Sequence, residues 1–412
     1  MNISQHGIHY FKNILKWFCF SFVIGISCSI IGLFFRLSID YANSLRNQFP
    51  QLIFALPIGG IIIIFLYHHF HALGLDTNLV LESITSDKET PIKLAPIIFI
   101  STFLTHLLGG SAGRTGASLQ IGGSIATLVK KIFHIEQKDY HILIMCAVAT
   151  MFSVILGAPL AAVIFSMEVV HVGVFQYSAL FPCFIASMVG YLCSQWIGIQ
   201  SYIPTLNHVP HLDVPAISEV TIIAVVCALI SALFCRFLRL SSRLYTTYAK
   251  NDYYQIACGG VIIIIFTLII GHQQYSGAGA NLIQHAFTQN MPYESFLIKI
   301  TLTALTLGAA YKGGEIVPSL CIGALIGNLI ASLLSMDPAF GSAIGMIAFF
   351  CSVVNCPLAS IFLSLEFFGS EGLFFFFLTC AIAYALSGYS GLFKSQKIIY
   401  SKTEHQSTNI NR

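Results

Sequence analysis

The chain has 412 residues, 56% of them hydrophobic and only 9% charged, with a mean hydropathy of +0.81. A soluble protein of this length needs far more charge to cover its surface, so the composition excludes that class and indicates an integral membrane protein. The formal net charge of +3 comes with no basic face, so nucleic acid is not an expected partner.

Lys12 and Lys16 precede a long apolar run at 17–37 with no small-residue cleavage site, so residues 1–14 read as a cytoplasmic N-terminus before a retained first helix. Further apolar segments follow at 52–70, 92–108, 120–133, 141–168, 176–197, 217–238, 257–271, 295–311, 318–335, 339–354, 356–368 and 372–388. A straight span takes about 20 apolar residues. Several of these segments are shorter, which predicts broken and tilted helices. Basic residues gather at the start, at Arg236, Arg239, Arg243 and Lys250, and at Lys394, Lys397 and Lys402. They predict a multi-pass membrane protein with both termini in the cytoplasm.

Smaller features along the chain read as structural. His68, His69 and His71 lie close together in YHHFHALG, but no acid or cysteine stands at ligand distance in sequence. Interfacial histidines are expected there rather than a metal site. The 12 cysteines are scattered singly and read as small buried hydrophobes. GLFFFFL, 372–378, is expected to face lipid or pack in the core, and the polar tail 401–412 is expected to be disordered.

The chain also repeats itself. APLAAVIFSMEVV, 158–170, resembles CPLASIFLSLEFF, 356–368, sharing Pro159/Pro357, Ser166/Ser364 and Glu168/Glu366. GRTGASLQIGG, 113–123, can be laid on GEIVPSLCIGA, 314–324, in the same order and at nearly the same offset. Together they predict two homologous halves, about 15–200 and 215–400, joined by a more polar stretch. The connection at 201–250 takes in the start of the second half, and 251–400 is its remainder. Such repeats in transporters often have inverted topology, with the substrate site where broken helices from both halves meet.

The breaks themselves suit an anion. GGSAGRTGASLQIGG, 109–123, holds six glycines, one arginine and no acid. Non-helical backbone is tolerated at membrane depth only where it lines a cavity or is buried in protein. A helix beginning just after such a break offers unpaired N–H donors and about half a positive charge. That makes an anion site weak enough for passage. Two breaks fit: Gly113-Arg114-Thr115-Gly116-Ala117, and Gly313-Gly314-Glu315-Ile316-Val317-Pro318. A weaker third is GLDTNLVLESI, 74–84, which carries Thr77 and Asn78. Arg114 either adds positive potential or ties down loop carbonyls. The alternative use of these glycines is close helix packing alone.

At this point the residues resemble a known family. GRTGASLQIGG looks like the G(K/R)EGP signature of the CLC chloride channels and proton-coupled anion exchangers. APLAAVIFSMEVV resembles that family's NAPL-type helix, and YKGGEIVPSLCIG its GxFxP filter segment. NCPLASIFLSLEFF and SGYSGLFKSQ fall in the same order. The GGE at Gly313 to Glu315, and Thr77-Asn78-Leu79, look more like the bacterial fluoride-transporting branch. The resemblance implies an all-α, polytopic membrane fold of the CLC inverted-repeat type. It also implies a homodimer in membrane lipid with one anion pathway per subunit. No cofactor, metal or enzyme activity is expected.

The departures from the family pattern shape the functional expectation. Thr115 stands where the gating glutamate belongs and has no titratable proton. The inner proton glutamate falls at Val169, beside a retained Glu168; the pore tyrosine falls at Phe393; the fluoride branch's filter threonine falls at Val317. The expected anion-binding set is therefore Thr77, Asn78, Gly113, Arg114, Thr115, Gly116, Gly314, Glu315, Ile316 and Val317. Thr115 and Phe393 are the gate positions, and Glu315 and Glu168 the candidate proton path. Glu168 and Glu366, at matching places in the repeats, are expected to cap or brace neighbouring helices, and the alternative for Glu315 is a structural salt bridge or hydrogen bond, for example with Lys312. The expected activity is halide transport, chloride or fluoride, channel-like or weakly coupled to protons. The alternatives are anion/proton exchange through Glu315, or a transport-inactive homologue. GGSAG is also similar to the serine motif of intramembrane proteases, with no helix-borne histidine paired with Ser111.

Overall fold

The computed structural model describes residues 3–199, 203–206, 208–402 and 407–410. The first half runs α1 (Ile3–Gln48), α2 (Leu56–His69), α3 (Thr77–Glu82), α4 (Leu94–Leu107), α5 (Thr115–Phe133), α6 (Gln137–Leu156), α7 (Pro159–Glu168) and α8 (Leu180–Trp196). The second half runs α9 (Val214–Tyr248), α10 (Asp252–Ile270), α11 (Ala280–Thr288), α12 (Ser295–Gly308), α13 (Ile316–Leu334), α14 (Pro338–Val354), α15 (Pro357–Phe368) and α16 (Leu373–Leu386). The helices around the breaks correspond in length: α4 and α12 both have 14 residues, and α5 and α13 both have 19.

Local chemistry sets these boundaries. Asp213 and Asp337 accept from backbone amides of the first turns of α9 and α14, which also carry Pro215 and Pro338. The apolar stretch 141–168, expected as one segment, is two helices. Gly157 closes α6 in the left-handed region at φ +76°, and Pro159 opens α7. The first helix is also longer than the apolar run 17–37, reaching from Ile3 to Gln48.

Among the described residues, seven helical stretches are long and apolar enough to cross a membrane, by length and composition. They differ in placement. Of the apolar windows in α6 and α13, 89% and 83% is buried inside the protein, against 39–44% in α1, α2, α8, α9 and α10. The inner helices α5, α6, α13 and α14 form the core, and the outer ones leave side chains such as Phe34, Ile58, Leu233 and Ile269 exposed at the lipid-facing perimeter. α13 and α14 meet through glycine. A Cβ at Gly327 would run into the carbonyl of Gly341, so the two backbones approach as side-chain-free surfaces. In GLFFFFL both expectations hold by turns: Phe375 and Phe376 are buried, while Phe374 and Phe377 are exposed.

A small three-stranded sheet closes one end. β1 (His171–Val172) pairs in parallel with β2 (Lys397–Tyr400), which pairs antiparallel with β3 (Ser407–Ile410). The tail expected to be disordered over 401–412 therefore contains a strand at 407–410, recruited by the open edge of β2; residues 403–406 and 411–412 lie outside the described residues. Gln396 anchors this region, donating from Nε2 to the carbonyls of Val169 and Val354 at 2.8 Å each.

Candidate functional site

The two helix starts expected to form the site meet face to face. Gly113 and Gly314, equivalent in the repeat, form an isolated antiparallel bridge in which each N–H donates to the other's carbonyl at 2.7 Å. A residue that pairs with its own repeat equivalent lies on the pseudo-two-fold axis relating the halves. This bridge also corrects one expectation: the amides of Gly113 and Gly314 are spent on each other and do not face an ion. The helices begin inside the breaks rather than after them, with Arg114 at the N-cap position of α5 and Glu315 at that of α13, neither side chain making a capping bond. Thr115, Gly116 and Ala117 open α5 ahead of its first internal bond, Ser118 N–H to Arg114 O at 3.0 Å. Ile316 and Val317 open α13 in the same way, and Pro318 brings no N–H. Their side chains are buried; what they can present is backbone.

Close approach of the two loops depends on bare Cα atoms. A Cβ on Gly314 would collide with the backbone of Gly116, and a Cβ on Gly116 would stand 3.0 Å from Gly314 Cα. Gly314→Ala is therefore expected to force the helix starts apart. Overpacking of this kind costs about 1–3 kcal/mol of stability. A thermal melt checks it; a wild-type melting temperature would show that the junction has room to spare.

Thr115 is fully buried, and its hydroxyl has no partner among the described residues. An orphan buried hydroxyl costs about 1–3 kcal/mol, which a donor role toward an ion would offset and space-filling would not. Arg114 does not face the same way. Its guanidinium is ion-paired with Asp40 near the end of α1.

A cavity of about 160 Å³ adjoins the junction. Thr77, Asn78, Glu315 and Phe393 line it, brought from the third break, the second break and the segment after α16. Thr115, Gly116, Ile316 and Val317 are not on its wall. Asp76 fixes the near end of α3, accepting from Asn78 N at 2.9 Å and Asn78 Nδ2 at 2.8 Å. Asn78 Oδ1 accepts from Ser395 N at 3.2 Å, tying Phe393's segment to α3. Glu315 is partly exposed to the cavity and has no ion pair among the described residues, Lys312 included.

Glu168 and Glu366 form a reciprocal pair. Glu168 accepts from Leu358 N and Ala359 N at 3.2 and 2.8 Å, and Glu366 accepts from Leu160 N and Ala161 N at 2.7 and 2.9 Å. Each carboxylate caps the helix that carries the other, so both oxygens of Glu168 are engaged in bracing.

Several residues at the site carry no sequence signal. Gln120 donates to Thr77 Oγ1 at 3.1 Å, and Thr77 Oγ1 donates to Gly116 O at 3.2 Å, joining α3 to α5. Lys299, fully buried, donates to Ser111 Oγ, Tyr275 O and Gly277 O at 3.0, 2.9 and 2.6 Å. With its three N–H bonds directed to acceptors it is a tether for Ser111, not a base that could activate it. His68 meets an acid that sequence distance hides, its Nε2 lying 3.1 Å from Asp252 Oδ2. Among the described residues no group of three or more His, Cys, Asp or Glu is arranged for a metal.

Comparison with known proteins converges on one family. The model for the voltage gated chloride channel matches residues 59–388. A chloride/fluoride channel protein from Pseudomonas syringae pv. tomato is 28% identical over 397 residues, covering 94% of this chain and 88% of the relative. An H(+)/Cl(-) exchange transporter, ClcA, from Vibrio parahaemolyticus is 22% identical, with 84% and 80% covered. A solved CLC-type fluoride/proton antiporter superposes with a TM-score of 0.89 at 30% identity, covering 93% of this chain and 98% of that one. A slow cyanobacterial Cl-/H+ antiporter shares the fold at TM-score 0.79 and 20% identity, over 90% of this chain and 94% of that one.

Proposed function

Because the chain belongs to the voltage gated chloride channel family, a family of multi-span anion transporters, we propose that it moves chloride or fluoride passively, without obligatory proton exchange. The observation that carries this reading is the Gly113–Gly314 bridge, which pins two helix starts together beside the orphan hydroxyl of Thr115. Backbone amides and one hydroxyl replace part of the ion's hydration shell. The paired helix starts themselves contribute partial charges only, so the ion is held there weakly enough to leave. Thr115 cannot act as a protonatable gate. Phe393, in place of a hydroxyl donor, narrows the cavity with an apolar ring that favours dewetting. A homodimer with a separate pathway in each subunit follows from the family likeness.

The test is parallel chloride, fluoride and proton flux from liposomes. A halide gradient should collapse, saturably, without driving protons uphill. Uphill proton movement overturns the passive reading, and the lack of any saturable halide flux leaves only a transport-inactive homologue. A second reading, exchange with the proton on Glu315, is favoured by that residue's place on the cavity wall without an ion pair. On that reading Glu315→Gln abolishes proton movement and keeps part of the halide flux; a wild type that moves no protons removes it.

A further inference from the structure

Lys312 is the unabsorbed charge of the site. Among the described residues that line the 160 Å³ cavity, it is the only cation. It forms no ion pair among the described residues. Two acids share that wall, Asp76 and Glu315; through space Lys312 feels Asp76 and Asp252, of which Asp76 also accepts from Asn78 N and Nδ2 and Asp252 meets His68. Instead, its ammonium lies over the ring of Tyr67, 4.3 Å from the ring centre. Tyr67 is fully buried and its hydroxyl has no partner among the described residues, so it is the ring face that matters here.

An aromatic face holds a cation in place without cancelling its charge, because the attraction comes from the ring quadrupole rather than from a counter-ion. A carboxylate in the same position would neutralise it. A positive charge seated on the wall of a low-dielectric cavity attracts an anion in its immediate neighbourhood, against the opposing carboxyl groups of Asp76 and Glu315 on the same wall. The compact, strongly hydrated ammonium suits a small, hard anion. Lys312 also stands directly before Gly313 and Gly314, so an ion drawn to it is already next to the paired helix starts.

We propose that Lys312, seated on Tyr67, is the capture residue of the pathway: it binds the small halide entering this cavity and sets the concentration at which transport saturates. This rests on the halide-transport reading above. The helix starts determine how fast the ion crosses; Lys312 determines how readily it is taken up from the cavity side.

The experiment measures halide flux against halide concentration in liposomes, with ionic strength varied by an impermeant salt. Lys312→Gln is expected to raise the half-saturation concentration roughly tenfold, leave the maximal flux within about twofold, and flatten the dependence on ionic strength. Lys312→Arg, which restores the charge, should restore both the half-saturation and the salt dependence. Tyr67→Leu keeps the lysine but removes its platform, and should raise half-saturation about threefold or more; it also serves if Lys312→Gln does not yield folded protein. If Lys312→Gln, or failing that Tyr67→Leu, keeps the wild-type half-saturation and salt dependence, the inference is overturned. A wild type with no saturable halide flux overturns the transport reading as well, which separates the two failures.

Discussion

Replacing Thr115 by glutamate is expected to lower halide flux at neutral pH at least about tenfold, a barrier increase of about 1.4 kcal/mol, and to make the remaining flux rise as the pH falls. Thr115 opens α5 with its side chain fully buried and its hydroxyl unpartnered. A carboxylate there is itself an anion, and the amides of the helix start, at the positive end of the dipole, stabilise it in competition with the halide. The direction of the pH effect follows from which form competes. Above its pKa the introduced group is charged and occupies the donors. Below it the proton removes the charge, and the amides are released to the halide. Efflux measured from about pH 4 to 8 spans the ordinary carboxyl range. Thr115→Gln separates charge from bulk, because it fills the same space and cannot titrate. Identical pH profiles for the glutamate and glutamine variants would mean that no anion sits at the start of α5.

Removing the reciprocal braces is the second large effect. Glu366→Ala strips Leu160 N and Ala161 N of their acceptor, and Glu168→Ala does the same to Leu358 N and Ala359 N. A buried amide without a partner costs about 1–3 kcal/mol; Ala359 N is buried whereas Leu160 N is exposed, so both variants are expected to melt lower, Glu168→Ala by more than Glu366→Ala. The double variant should lose less than the sum, since the two caps lock the same pair of helices, α7 and α15, against each other. The same pair tests the proton-path role of Glu168. Glu168→Gln keeps one acceptor oxygen, so on the bracing account it lowers the melting temperature modestly and leaves the ratio of halide to proton movement alone. A variant that melts like the wild type yet loses proton movement would transfer Glu168 from scaffold to proton path.

Much of the site was legible because the chain says the same thing twice. The alignment of GRTGASLQIGG on GEIVPSLCIGA pairs Gly113 with Gly314, and the structure bonds those two residues to each other. The likeness of Glu168 and Glu366 in position became likeness in role, each capping its counterpart's helix. The glycine runs correctly marked where two backbones approach, but not which amides stay free. That depends on how the loops cross, and the crossing consumed two of the donors that had been expected to face the ion.

By itself the sequence determined the class of protein, the two halves, the broken helix starts and the residue types around the pathway, because hydropathy, glycine content and repetition are properties of short windows. The tertiary structure alone decided which partner each charge found. Arg114 with Asp40, Lys299 with Ser111, His68 with Asp252 and Lys312 with Tyr67 join residues far apart in the chain. It also decided which apolar helices, such as α6 and α13, are core and which, such as α2 and α10, lie at the periphery. The physical reason is common to both. A helix apolar on every face is equally content against lipid or protein, and two halves packed about a pseudo-two-fold axis create contacts that follow no period along the chain.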